Sequence, residues 1–183
     1  MPVMHFSIKL LLFCALLQAC KEPLKAKDGT VFKSPGDYND YIISRQTRVI
    51  RNIIELSNLI EQHPDTAAVY LTKYARQTDT LISELRGMPP FKTDSAFRDA
   101  AIRSFTFYRT LFNEHYPRLL KVKMQGDTNT EEGISEIMEV MDKVKREEEQ
   151  LDKQLHRTQR DFAERFDMKM RPNAIQKEME KKN

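Results

Sequence analysis

From Asp37 onward, apolar residues recur every three or four positions in four long runs separated by turn residues. In the first run, Asp37 to His63, Ile42, Val49, Ile53, Leu56 and Ile60 share one helical face, widened by Ile50 and Leu59. Gln46 interrupts that face. His63-Pro64-Asp65 ends the run, and Asp65 or Thr66 is placed to cap the next helix. The second helix, Thr66 to Arg86, carries Ala67, Leu71, Tyr74, Thr78, Leu81 and Leu85, with Gly87 as its stop and Pro89-Pro90 beyond. Asp94 or Ser95 caps the third, whose face holds Phe97, Ala101, Phe105, Tyr108, Leu111, Phe112 and Leu119. Pro117 is expected to kink it. After a turn at Gly126-Asp127-Thr128-Asn129 and a cap at Thr130, the fourth helix runs from Glu131 to Lys169. Its stripe is Ile134, Ile137, Met141, Val144, Leu151, Leu155, Phe162 and Phe166, broken by Glu148 and Thr158.

No segment offers a sustained period-two run. Four amphipathic helices joined by short turns predict an all-α fold, an antiparallel up-down-up-down four-helix bundle with a long C-terminal helix. At 1.5 Å per residue the fourth helix spans about 58 Å and the first about 40 Å. The last turns of the fourth helix are therefore expected to overhang the bundle or meet a partner.

The N-terminus follows a different pattern. Leu10 to Leu17 is a short apolar run, preceded by Lys9 and followed by Gln18-Ala19-Cys20. It is too short to span a bilayer, which takes about 20 apolar residues. A short apolar run closing on a small residue and then cysteine is the pattern of a bacterial lipoprotein signal. An ordinary secretory signal cut near Ala19 and a core helix compete with it; Pro23 speaks against the helix. The resulting organisation is a lipoprotein signal peptide (1–19), a lipidated cysteine with a Gly/Pro-bearing tether (20–36), the bundle (37–169) and a charged flexible tail (170–183).

Cysteine usage agrees with this reading. Cys14 lies within the leader, so Cys20 is the one cysteine that processing would leave. A lone free thiol is out of place in an oxidising envelope compartment, and acylation removes the anomaly. Two or more acyl chains anchor stably. The expected partner is thus the membrane, through acylated Cys20. Lys21, standing where Asp would signal inner-membrane retention, favours the outer membrane. Lys21-Glu22 resembles the start of the export tag of surface lipoproteins, which Pro23 then breaks, so periplasmic and surface-facing placements both stay open.

Composition narrows function mainly by exclusion. With 30 Lys and Arg against 27 Asp and Glu, the net charge is +3, and no basic stripe interleaved with aromatics points to nucleic acid. Five glycines, no tryptophan and 31% charged residues favour long helices over turns. A di-iron bundle needs Glu-x-x-His, but Ile60, Phe112 and Lys153 precede His63, His115 and His156 by three. No Gly-x-Ser-x-Gly occurs, and glycines are scarce for oxyanion or phosphate loops. No catalytic residue, cofactor or metal site is assigned. His115, on the aromatic face, reads as a buried histidine bonded to a carbonyl, with a lone ligand or base as the competing reading. His156, four residues after Asp152, reads as solvated.

The aromatics of the third helix, Phe107 included although it falls off the main stripe, read as core; an apolar ligand pocket is the alternative. Gln46, Glu148 and Thr158 read as a buried network fixing helix register, or else as the lining of a small cavity.

Tyr38-Asn39-Asp40-Tyr41-Ile42 with Gln46, Pro89-Pro90-Phe91, Phe97-Arg98-Asp99-Ala100-Ala101 and Phe105-Thr106-Phe107-Tyr108 resemble an uncharacterised family of bacterial surface lipoproteins of leptospires and Bacteroidota. The resemblance covers Tyr38 to Phe166 and implies a lipid-anchored helical protein with no catalytic residues to carry over. It makes Tyr38, Asn39, Tyr41 and Gln46 the polar residues of first interest. The expected function is a non-enzymatic, lipid-anchored envelope protein that binds a protein or envelope component through helix surfaces. The alternative is a module for a small apolar or lipid-like ligand between aromatic-rich helices. Oligomeric state is not legible.

Overall fold

The computed structural model describes residues 23–170. The expected signal peptide, Cys20 and all but the first residue of the expected tail lie outside them. The fold is an all-α helical bundle with a small two-stranded hairpin: β1 Leu24–Lys25, β2 Val31–Phe32, α1 Pro35–Gln62, α2 Pro64–Arg86, α3 Ala96–Thr110, α4 Tyr116–Gln125 and α5 Glu131–Arg165. A five-residue π-helical turn, Leu111–His115, joins α3 to α4, and a 3₁₀ turn, Asp127–Asn129, precedes α5.

The segment expected as a tether enters the fold from Leu24. Leu24 pairs with Phe32 and Lys25 with Val31, and Ala26 and Phe32 are buried. Two-residue strands are too short to show a period. The Asp28 carboxylate at the hairpin tip accepts from Tyr41 Oη at 2.7 Å. Arg45 Nη2 reaches the same oxygen at 3.5 Å and its Nε donates to Glu84 at 2.6 Å, tying hairpin, α1 and α2 together. The Tyr41 hydrogen bond, then the Thr30 amide, hold the Asp28 carboxyl below the usual carboxylate range.

Helix boundaries follow local chemistry. α1 starts two residues before Asp37, because Ser34 and Asp37 form a capping box: Ser34 Oγ accepts from the Asp37 amide at 3.1 Å, and Asp37 Oδ2 accepts from the Ser34 amide at 2.9 Å. Only His63 separates α1 from α2, and Pro64 opens α2. Proline has no N–H to continue α1 and a φ suited to a first turn, so no side-chain cap from Asp65 or Thr66 is used. Gly87 stops α2, but with ordinary helical φ rather than as a left-handed cap. Its role is close approach: the Lys27 amide donates to the Gly87 carbonyl at 3.0 Å, and an added Cβ would crowd the Lys27 side chain. Thr130 caps α5, accepting from the Gly133 amide at 3.0 Å. Gly133 is there because any Cβ would collide with the Asp127 carbonyl.

The expected kink near Pro117 takes a definite form. Pro117 lacks the amide that would bond the Asn113 carbonyl, and its ring would press on that carbonyl in a regular helix. One turn widens instead, and the Tyr116 amide bonds back five residues to the Leu111 carbonyl.

Consecutive helices are packed neighbours: α1 on α2, α2 on α3 and α4, and both of those on α5. Cross-links run in opposite order along paired helices, as with Arg45–Glu84 and Asn52–Gln77 between α1 and α2. The core is aromatic at one end. Phe162 of α5 lies 5.5 Å from Tyr38, 5.5 Å from Phe91, 5.6 Å from Phe97 and 4.8 Å from Phe166. Contrary to the expected overhang, the last turns of α5 are therefore among its best buried. The loop before α3 is bent to meet them. Lys92 and Thr93 adopt left-handed φ of 45° and 76°, while Phe91 and Asp94 exchange two backbone bonds of 2.9 Å. That conformation costs about 1–2 kcal/mol per non-glycine residue. Asp94 offsets part of it by accepting from Arg165 at 2.7 Å and from the Ala96 amide at 2.9 Å.

Candidate functional site: the seam between the first and last helices

α1 and α5 approach each other less closely than the packed helix pairs described above, and the side-chain contacts that join them lie at one end. There Tyr38 stacks on Phe162, and Gln159 Nε2 donates to Asn39 Oδ1 at 2.8 Å. This half-buried amide pair is the register lock of the described seam. It is not the Gln46, Glu148 and Thr158 network considered from sequence. Thr158 turns its hydroxyl back to the carbonyls of Gln154 and Leu155 in its own helix. Gln46 is buried in α1, Glu148 is exposed in α5, and no hydrogen bond joins them.

Gln46 and Glu148 nonetheless belong to one feature. Met141, Glu148 and Gln159 are spaced by 7 and 11 residues, which returns to the same helical face. Gln159 points that face at α1, and Asn39, Gln46, Ile50 and Ser57 form the answering face. Beyond the Asn39–Gln159 pair the seam opens. Ile50, Ile53 and Ile60 of α1 and Val144 and Leu151 of α5 are only half-buried. Tyr116 lies between the helices, its hydroxyl 3.3 Å from Ser57 Oγ and its ring stacked on Phe112 at 6.0 Å.

Toward the start of α5, Ile134, Met138 and Met141 are 44%, 61% and 53% exposed at spacings of 4 and 3. They make one continuous apolar line in water. The opposite flank of α5 is fastened, since Arg118 of α4 donates to Glu136 at 2.6 Å and to Glu139 at 3.1 Å.

The electrostatics of the open part are unbalanced. Although Glu148 is exposed as a residue, partial desolvation of its carboxyl group by its neighbours, reinforced by the nearby Asp152 charge, pushes that carboxyl above its usual range. Burial also raises the Tyr108 and Tyr116 hydroxyls, with Glu148 adding to both. Among the described residues no Lys or Arg forms an ion pair with Glu148. His156, expected to be solvated, is exposed and pairs with Asp152 at 3.3 Å, which raises its pKa.

His115 sits in the π-helical turn at the same end. It is buried, 3% exposed, as expected. The expected carbonyl partner is missing: neither Nδ1 nor Nε2 has a hydrogen bond. Burial lowers its pKa, and of the charges acting on it Lys143 and Arg118 lower it further while Glu114 and Glu147 oppose them. A buried ring with neither nitrogen hydrogen-bonded costs about 1–3 kcal/mol. Among the described residues no group of three or more His, Cys, Asp or Glu is placed to hold a metal ion.

The aromatic residues considered as a ligand pocket are packed. Phe105, Phe107, Tyr108 and Phe112 are all buried. A concavity of about 450 Å³ between α2 and α4 touches Phe112, with Leu71, Pro117 and Leu120, but is not lined by Phe105 or Tyr108. No described helix is long and apolar enough to cross a membrane. In comparisons with known proteins, no family model matches the chain, and neither a curated protein nor a solved structure is significantly similar to it.

Proposed function

We propose that this chain is a non-enzymatic, lipid-anchored envelope protein that binds a protein partner through the open part of the α1–α5 seam. The observation that carries the reading is the water-exposed line of Ile134, Met138 and Met141. Three large apolar side chains along one helix face are more than the scattered exposure normal for a soluble surface. Methionine is suited to such a surface, because its unbranched side chain adapts to a partner's shape. The anchor follows from Leu17-Gln18-Ala19-Cys20, with the outer membrane as the proposed address.

Two measurements test the halves separately. Replacing Cys20 with Ala should abolish fatty-acid labelling and release the protein from membranes; labelling that persists sinks the anchor. A photo-crosslinker at Met138 in intact cells should capture a discrete protein, whereas one at Arg157, exposed on the same helix beyond the open stretch, should not. Equal capture from both positions argues against a dedicated surface.

A further inference from the structure

We infer that the open part of the seam takes a basic amphipathic helix from another envelope protein, seated between α1 and α5 beside Tyr116. This rests on the partner-binding reading above and adds the chemistry of the partner. The first support is charge. From Glu131 to Asp152, α5 carries nine carboxylates against three cations, although the whole chain is net positive. Several of those carboxylates are already satisfied. Glu136 and Glu139 bind Arg118 on the far flank, and Glu149 binds Lys153 at 2.6 Å. On the seam flank, Glu131, Glu148 and Asp152 share the face of Ile134 and Met141 by spacings of 3, 4 and 7. There, among the described residues, Glu148 has no paired cation and Asp152 pairs with His156. A partner that brings Lys or Arg to this rim supplies the missing counter-charge as it covers the apolar line.

The second support is backbone accounting. The walls of the open seam are helices, whose mid-helix amides and carbonyls are already paired, so they offer the partner no main-chain bonds. A segment docking there must satisfy its own backbone, which a helix does and an extended strand does not. A helical partner also matches the wall, since Ile134, Met138 and Met141 repeat with the helical period. The same acidic rim disfavours the other occupants. Anionic lipid headgroups and nucleic acid would be repelled. Two copies of the chain meeting symmetrically through this face would set like charges against each other.

The test uses the full-length protein and a fluorescent eighteen-residue Leu/Lys peptide with helical apolar spacing. Two controls accompany it: a scrambled peptide of the same composition, and one with Glu in place of every Lys. Wild type should bind the Leu/Lys helix at least tenfold more tightly than the scrambled peptide, and the Glu peptide not measurably. Met138→Ser with Met141→Ser, and separately Glu148→Lys, should each weaken binding at least tenfold. Met124→Ser, exposed at the far side of α4, should leave it unchanged. All four positions are exposed, and unchanged helical circular dichroism verifies folding.

Equal affinity for helical and scrambled peptides, or binding untouched by the α5 substitutions, overturns the inference. Mass-spectrometric mapping of the Met138 crosslink in cells separates the two levels. Capture through a basic amphipathic helix supports both. Capture through a segment that is neither basic nor helical overturns this inference and leaves partner binding standing. Capture of no protein removes both.

Discussion

The two ends of the α1–α5 seam lie on the same pair of helices and end up in opposite states. At one end aromatic rings from α1, the loop before α3, α3 and the end of α5 surround Phe162, the hairpin's Phe32 packs on Tyr38 behind them, and the Asn39–Gln159 bond lies half-buried beside them. At the other, Met138 and Met141 lie in water, and among the described residues Glu148 has no paired cation and the His115 ring no hydrogen-bond partner. What separates the ends is the number of elements that converge. The hairpin and the strained Lys92–Thr93 turn bring extra chain to the aromatic end, and among the described residues no further element covers the open one. Unsatisfied polar groups and uncovered apolar surface at a single location are what a protein retains when a partner completes the packing.

That contrast predicts an ordered set of effects. The largest is Phe162→Ala, which should cost about 3–5 kcal/mol, as for other buried aromatic truncations, and lower the urea midpoint accordingly. A loss under about 1 kcal/mol would mean that the aromatic end is not the fastened one. Next comes Gln159→Ala, which strips the donor from Asn39 in a half-sealed setting and should cost about 1–3 kcal/mol. A double-mutant cycle with Asn39→Ala should show coupling; strictly additive losses would remove the pair as the register lock.

A pH effect of intermediate size should come from the open end. The folded-state pKa of His115 is depressed, so below the usual histidine pKa the unfolded chain takes up the proton more readily. Its contribution is complete above about 6.5 and declines as pH falls toward the folded value. Glu148 has the opposite sign: its raised carboxyl gains folded-state protons first, so its contribution grows as pH falls toward the ordinary carboxylate range. Between pH 7.5 and 5.5 the unfolding midpoint of wild type should therefore move downward relative to that of His115→Leu, in which the opposing contributions of Glu148 and of His156, whose pKa is raised, remain. An unchanged pH dependence in that variant would show that His115 is not the group responsible. The smallest effect is Met141→Ser, expected to change stability by less than about 0.5 kcal/mol because the side chain is already in water. A large loss would mean that the seam closes in solution.

The helices were legible because each carries its own evidence. Stripes at helical spacing, Pro64, Pro117, Gly87 and the Thr130 cap are all local. The hairpin was not, because its two-residue strands show no period and its stability comes from Phe32 packing on Tyr38 and Tyr41 at 5.1 and 5.3 Å. Asn39 and Gln159 are 120 residues apart, and nothing in either neighbourhood names the other. The open seam escaped for a deeper reason. Ile134, Ile137, Met141 and Val144 make the same stripe whether or not a facing helix covers them, so periodicity identifies the face and not its occupancy. Proline near His115 was the one available signal of the widened turn, and it pointed to a bend rather than to an unpartnered ring.

The early start of the fold at Leu24 bears on reach. Were Cys20 acylated, only Lys21, Glu22 and Pro23 would lie between the lipid and a hairpin clamped to the aromatic end. That end would ride against the bilayer with little slack, and the 28 residues of α1 would act as a mast about 42 Å long. The acidic, methionine-bearing stretch of α5 would then be presented far from the lipid surface, at a height set by helix length instead of by a floppy leash.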